Sequence, residues 1–380
     1  MVSVQYVYIK RKQAETGQSG TATYDLPERG FIPEIVVRAY RTTGSNTNGP
    51  LPVHHIIRKI EIVDGSKVIQ SLTGEQIKGL MWYRGSGFSV STVKDTANTE
   101  SYDDFVLTLG GVFDGKRYAP DFGRFSNPQI KITWDASLTS VKGVSYDAIS
   151  DPGMKFTVLA KVVRDGGALY THGYVKSSQI YTWTQAANKV TDIEIPRGDP
   201  LLGLMINAGY DGLDWTEDVE KIKLDFDNGA WIPLELYEEE IVPELAQWFP
   251  KLCVYGFQRD IKDNIEVDFR MGYVSKIDYI ALTDAAREFN YQDGTKGIGT
   301  VGLFDSATPS EVTSFELSGF KVYGHIPFHN YYIPMRAITM GESDTIDTTK
   351  YGRIILQLTS GASASTSSTP QVVAEYLKTD

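Results

Sequence analysis

One stretch of this chain occurs twice, and the repeat restricts the fold more than any other feature. Residues 57–83 read IRKIEIVDGSKVIQSLTGEQIKGLMWY, and residues 219–249 read VEKIKLDFDNGAWIPLELYEEEIVPELAQWF. Both open on a basic residue and an alternating apolar run: Lys59, Ile60 and Ile62, then Lys221, Ile222 and Leu224. Both then reach a turn pair, Asp64-Gly65 or Asn228-Gly229. Such pairs suit a tight hairpin in which both turn residues take positive φ. A second strand follows, Val68-Ile69 or Trp231-Ile232, and ends at Leu72 or Leu236. A short helix is predicted after each. Thr73 and Gln76 have capping-box spacing, and Glu238, Glu239 and Glu240 suit the positive end of a helix dipole. Trp82 and Trp248 close the two helices, and their matching places predict a structural role in each core. Gly65 and Gly229, Leu72 and Leu236, and Ile77 and Ile241 share one offset in the numbering (229 − 65 = 236 − 72 = 241 − 77 = 164). A constant offset across a hairpin and a helix indicates internal duplication.

Other segments extend the repeat. Phe31 to Tyr40 reads as a strand led in by Pro33, with a counterpart in Asp199 to Tyr210 led in by Pro200. Gln129 to Trp134 alternates with Ile130, Ile132 and Trp134 on one face, and Arg353 to Thr359 alternates with Ile354, Leu356 and Leu358. Thr157 to Val163 closes the first half as Val372 to Leu377 closes the second. From Trp134 to Leu358 the offset has grown (358 − 134 = 224), so the second copy carries an insertion equal to the difference (224 − 164 = 60), at about 252–322. The insert has an alternating strand, Ile265 to Met271, and a short helix is predicted near Asp284 to Phe289. Each half therefore shows about eight short strands with one helix after a hairpin. The expected class is all-β: two tandem eight-stranded sandwiches of the jelly-roll or another Greek-key kind. The expected division is an N-terminal arm over 1–18, a first roll over 19–186 and a second over 187–380.

Composition narrows the function. A chain of 380 residues exceeds one ordinary core and suits two domains. A net charge of −11 argues against a broad nucleic-acid-binding face. One cysteine, Cys253, precludes an intramolecular disulfide and a cysteine-based metal cluster. No apolar run of membrane-spanning length occurs, and MVSVQYVYIKRKQ lacks the apolar core and cleavage site of a signal peptide. Lys10, Arg11 and Lys12 follow an alternating start with no acid before Glu15. They read as the solvated basic end of an extended arm, or as an arm that contacts a neighbour or an anionic surface.

No motif points to catalysis, a cofactor or a metal. Gly297 to Gly302 matches G-x-G-x-x-G, but no helix N-terminus follows to hold a pyrophosphate, so a surface loop is expected. Asp225, Asp227 and Gly229 fail the calcium-loop spacing and read as a turn. His54 and His55, if on a strand, point to opposite faces. His325 and His329 flank Pro327, which precludes a helix that would align them. Asp103, Asp104, Asp225 and Glu235 leave a paired-carboxylate glycosidase open, because carboxylate spacing is a three-dimensional property.

Two sandwich halves carrying KIEIVDGSKVIQSLTGEQIKGLMW, its echo KIKLDFDNGAWIPLELYEEEIVPELAQW and the closing strand QVVAEYL resemble the double jelly-roll major capsid proteins. These belong to tailless icosahedral viruses: internal-membrane phages, archaeal viruses and the adenovirus hexon lineage. The resemblance implies a structural virion protein, made in the host cytoplasm, with no catalytic residues. It implies homotrimers forming pseudo-hexagonal blocks that meet neighbouring capsomers and minor capsid or penton proteins. It also implies an outward insert and an inward N-terminal arm. Lys10, Arg11 and Lys12 would then be inner-face contacts near an internal membrane or another anionic surface, with no sequence-specific nucleic acid. The alternative is a tandem jelly-roll carbohydrate-active enzyme or carbohydrate-binding module, with an adhesin or tail-spike module as a further non-catalytic reading.

Overall fold

The computed structural model describes residues 3–42, 51–85, 100–141, 144–145, 154–164, 167, 169–208, 215–250, 252–258, 266–269, 274–282, 288–292, 299–304 and 318–379, those from 252 to 323 by backbone alone. Sixteen strands build two rolls. The first has β1 (Ser3–Ala14), β2 (Ser19–Asp25), β3 (Phe31–Thr42), β4 (Ile57–Asp64), β5 (Lys67–Leu72), β6 (Glu100–Thr108), β7 (Pro128–Asp135) and β8 (Lys155–Arg164). The second has β9 (Tyr174–Thr182), β10 (Val190–Glu194), β11 (Pro200–Asn207), β12 (Lys221–Phe226), β13 (Trp231–Tyr237), β14 (Asn330–Pro334), β15 (Ile354–Thr359) and β16 (Gln371–Lys378). Helices α1 (Val53–Ile56) and α2 (Gly74–Tyr83) belong to the first roll, and α3 (Trp215–Asp218) and α4 (Glu238–Trp248) stand at the same places in the second.

The pairing repeats with the numbering. Sheets β1-β8-β3-β6 and β2-β7-β4-β5 face each other in the first roll, and β9-β16-β11-β14 and β10-β15-β12-β13 in the second. Each element and its counterpart eight strands later thus occupy one place in one topology, the jelly roll. Alternation supplies the cores: Ile130, Ile132 and Trp134 of β7 are buried, as are Ile354, Leu356 and Leu358 of β15. The two rolls share a sheet, because β5 pairs with β9 in parallel, Gln70 beside Ser177 and Ser71 beside Ser178. Parallel neighbours run the same way, so both rolls stand the same way up. The end to which β1, β3 and β5 rise is called the upper end below.

Three expectations need correction. Residues 3–14 are no free arm: β1 is an edge strand paired with β8, Tyr8 opposite Leu159 and Tyr6 opposite Lys161, and Val7 and Ile9 pack on the core. Its partner is the last strand of the first roll, beyond the reach of local pattern. The boundary drawn between 186 and 187 cuts off β9, which pairs with β16 along Tyr174 to Thr182 in the second roll's sheet. The first hairpin turns on Gly65 and Ser66 with Gly65 alone at positive φ (57°), since Asp64 pairs with Lys67. The second turn is longer, with Asp227, Asn228 and Gly229 all at positive φ.

The insert lies between α4 and β14, the place that residues 84–99 hold in the first roll. Its first and last strands, Leu252–Gln258 and Ser318–Pro327, pair with each other. Val274–Leu282 joins them, and Glu266–Phe269, Gly299–Phe304 and Glu288–Gln292 form a further three-stranded sheet. The described residues of the insert form two small sheets; the segments between their strands, where the sequence suggests loops, lie outside the described residues. Glu288–Gln292 is a strand where a helix near Asp284 to Phe289 is expected; residues 283–287 lie outside the described residues. So short an apolar run does not distinguish the two periods.

Candidate assembly surfaces

Helix α2 forms where the sequence predicts it, and its surroundings decide what it does. The Thr73 hydroxyl accepts from the Gln76 amide (3.3 Å), and the Gln76 side chain accepts from the Thr73 amide (2.9 Å), so the capping box is closed. The same Gln76 side chain donates to Gln371 of β16 at 2.5 Å. The helix lies along β6 and against the second roll. Tyr83 donates to the Asn330 carbonyl (2.6 Å) and its ring stacks on Tyr332 of β14 at 5.3 Å. Asn330 Nδ2 donates to the Glu75 carbonyl (3.0 Å). Gly79 permits this approach, since a Cβ there would lie 2.6 Å from Asn330 Nδ2. At the helix end Arg84 pairs with the buried Glu375 of β16, which also accepts from Tyr332 (2.8 Å) and Ser177 (2.7 Å).

A charged cluster is sealed inside this junction. Lys78 Nζ meets Asp103 Oδ1 at 2.6 Å, with both side chains 1% exposed. His54 Nδ1 stands 3.8 Å from Asp103 Oδ2, and His55 Nδ1 stands 2.7 Å from Glu75 Oε1. The two histidines sit on α1, not on a strand, so their rings lie together at 4.4 Å rather than on opposite faces. Burial lowers His54 to about 4, helped by His55 and opposed by Asp103. Burial pushes Asp103 up, but the Lys78 ammonium and His54 outweigh it and hold the carboxyl below its ordinary value. Sequence reasoning misses Lys78 because a lysine on an amphipathic helix ordinarily faces water. A third-residue spacing from Glu75 is the one local signal that it shares a face with an acid. A cleft of about 310 Å³ opens beside the cluster, lined by His54, His55, Arg58, Thr73, Glu75 and Ser368 among others.

The residues singled out from sequence are dispersed. Lys10, Arg11 and Lys12 are exposed on β1. Lys12 pairs with Glu100 at 2.8 Å, Lys10 lies over the Tyr24 ring (5.7 Å) and Arg11 beside that of Tyr8 (5.9 Å). Glu100 begins β6, so this basic segment is at the upper end of the first roll. His325 and His329 are buried at the root of the insert, and Trp215 of α3 donates to the His329 carbonyl (3.1 Å). Gly299–Phe304 is a central strand of its small sheet and not a surface loop; Gly297 and Ile298 lie outside the described residues. Asp225 accepts from the Gly229 amide (2.6 Å), and Asp227 from the amides of Gly352 (2.6 Å) and Arg353 (3.0 Å), which is turn chemistry. Asp103 and Asp104 are both engaged inside, Asp104 by Arg38 at 2.5 Å. Among the described residues no group of three or more His, Cys, Asp or Glu is arranged to hold a metal ion. Trp82 packs on the core, but Trp248 is 38% exposed, so only one of the pair has the expected core role.

Two jelly rolls of one topology, fused side by side through a shared sheet, define the double jelly-roll class. By structure the chain is similar to the crystal structure of the major capsid protein of Sulfolobus Turreted Icosahedral Virus, with TM-score 0.59 and 12% identity, covering 99% of this chain and 97% of that one. It is similar to VP54 of the virus PBCV-1 (TM-score 0.54, 9% identity, 99% and 94% covered) and to the major capsid protein P2 of bacteriophage PM2 (0.51, 11%, 99% and 97%). No family model matches the sequence, and no curated protein matches it. The likeness is one of fold over the whole chain, and it bears out the resemblance read from the repeat.

Proposed function

We propose that this chain is a major capsid protein, the structural subunit of an icosahedral virion shell, acting as a homotrimer and not as an enzyme. The carrying observation is the pair of like-oriented rolls joined through β5 and β9. Three such pairs supply six similar blocks, which tile a pseudo-hexagonal unit under threefold symmetry. The fold likeness to three major capsid proteins supports the reading. In this assembly the strands stand upright to the shell. The insert is rooted where β14 begins, beside α3 and so at the upper end of its roll, and we place that end outward. An outward insert and an inward basic segment require opposite ends, whereas Lys10, Arg11 and Lys12 share the upper end with the root of the insert. We therefore place the basic segment outward too, where it meets a neighbouring capsomer or a minor capsid protein in place of an inner membrane.

Electron microscopy and light scattering on the purified protein test the reading. Trimers, or shells under some salt condition, are the expected result. A strictly monomeric protein at micromolar concentration with no particles in any salt rejects it and promotes the carbohydrate-active alternative.

A further inference from the structure

The seam between the rolls opens into a cleft at the upper end. This is the space of about 310 Å³ beside the buried cluster. It lies where β5 ends just before Thr73, β11 ends at Asn207 and β16 begins at Gln371. Both rolls supply its walls: Arg58, Thr73 and Glu75 from the first, Asn207, Ser368 and Gln371 from the second. Its inner part is buried and polar, with Glu75 8%, Asn207 6% and Ser368 3% exposed, whereas Arg58, Ser367 and Thr369 are exposed at its mouth. Buried polar groups are costly unless they are held, and the protein holds each of these. His55 Nδ1 meets Glu75 Oε1 at 2.7 Å. Asn207 Nδ2 donates to Asn330 Oδ1 (3.0 Å) and to the Phe328 carbonyl (3.3 Å). Ser368 Oγ donates to Asp218 Oδ2 (3.2 Å), and Gln371 Oε1 accepts from Gln76 Nε2 (2.5 Å). The same bonds fix which atoms remain for a ligand. With its nitrogen turned to Asn330, Asn207 keeps an oxygen acceptor; with its oxygen on Gln76, Gln371 keeps an amide donor. The Ser367 and Thr369 hydroxyls can do either. Among the described residues Arg58 has no acidic partner.

We infer that this cleft binds a sugar bearing one carboxylate, which Arg58 takes, while Asn207, Gln371, Ser367 and Thr369 take its hydroxyls. The volume stands at the small end of ligand pockets, about 300–1,000 Å³, and suits a ligand of one or two rings. A hydroxyl both donates and accepts, and the lining offers both kinds of partner. An apolar ligand would leave those groups buried and unpaired. A guanidinium meets a carboxylate through two parallel hydrogen bonds, a match of shape as well as charge. The walls also limit that charge. Glu75 stands in the same cleft, its carboxylate engaged by His55 and by Asn207 Nδ2 (3.4 Å). A dianionic phosphate would meet more repulsion there for the same single arginine. On the capsid reading the mouth faces outward, so the acidic sugar is either the end of a cell-surface glycan or a free molecule. Binding itself does not depend on that reading.

The test titrates the full chain with three probes, followed by calorimetry and ligand-observed NMR. They are N-acetylneuraminic acid, sialyllactose, in which the same acid ends a glycan, and lactose, which has no carboxylate. Both acids are expected to bind, and lactose at least about tenfold more weakly, the worth of one charged hydrogen-bonding pair. Arg58→Ala is expected to weaken both acids by at least about tenfold and to leave lactose unchanged, with Arg58→Lys between it and the wild type. The side chain is exposed, and circular dichroism checks that each variant keeps the fold. Tighter binding of sialyllactose than of the free acid assigns the site to a glycan end; the reverse assigns it to a free sugar. No binding of either acid at about 10 mM, lactose binding as tightly as the acids, or Arg58→Ala binding like the wild type overturns the site. Sedimentation of the same samples reads the capsid proposal separately. A trimer that binds neither acid keeps that proposal and loses this site, whereas a monomer that binds them keeps the site and promotes the carbohydrate-binding alternative.

Discussion

Lys78 and Asp103 show at the residue scale how α2 is fixed to β6 within the first roll. A buried ion pair is a weak source of net stability, because desolvation offsets most of the attraction, but removing one partner leaves a charge sealed from water. Lys78→Met is therefore expected to cost about 3–5 kcal/mol, measured by urea denaturation, and Lys78→Met/Asp103→Leu to recover much of it. His54 adds a pH dependence. Its folded value is lowered to about 4, by burial first and by His55 second, against about 6.5 when unfolded. Between those values the unfolded chain holds more protons, so stability falls as pH drops through the window, by up to about 3 kcal/mol. Asp103 acts the same way lower down, because its depressed carboxyl loses its contribution as pH falls through the folded value. The neighbouring titratable groups are Asp103, Glu75, Lys78 and His55. Melting temperatures from pH 7 to 4 should decline more steeply for the wild type than for His54→Gln; parallel curves would show that His54 does not titrate on unfolding.

Elements with one sequence pattern end in different environments. The hairpins and helices of the two copies coincide in topology, yet α2 is enclosed and α4 is not. Strand β1 is held by one neighbour and by Val7 and Ile9 on the core. A chain beginning at Gln13 loses these contacts and is expected to melt below the full chain, since the two half-buried aliphatic side chains together contribute about 1.5–3 kcal/mol. An unchanged melting temperature would return β1 to the status of a loose arm. The insert behaves oppositely. Gln258 and Ser318 are paired neighbours, so residues 259–317 can be replaced by a short Gly/Ser turn without moving either end. Loop closure changes by only about 0.6 kcal/mol per doubling of length. Soluble protein with a melting temperature near that of the full chain is expected, and insoluble protein would place the insert in the core. Excising Gln292 to Gly302 alone is a poorer choice, because it cuts into Gly299–Phe304, the centre of its sheet.

The whole molecule carries its symmetry imperfectly. One inter-roll junction is made within the chain, and among the described residues its counterpart edges, β1 and β13, are the last strands of their sheets. A trimer built through them is expected to bury more than about 2000 Å² in total, the range of obligate interfaces. Small-angle scattering and the protection of α4 and β1 amides from hydrogen exchange on assembly would measure this. Rapid exchange in both elements within an assembled trimer would contradict it.

By itself the sequence determined the class, the duplication and most of the strands. Period-two alternation, turn glycines and a capping box are local, and burying one face of each strand forces the two-sheet answer. The growth of the repeat's offset from 164 to 224 is the sequence feature that points to an insert in the second copy. Only the tertiary structure decided that residues 3–14 form a strand, that β9 belongs to the second roll, and that Lys78 is buried beside Asp103. Each depends on a partner far along the chain or on the roll lying opposite. The unequal exposure of α2 and α4 is of the same kind. The two helices hold matching places but differ in burial because one has a neighbouring sheet within its own chain; Gly79 admits that close approach, but the strand that makes it lies far along the chain.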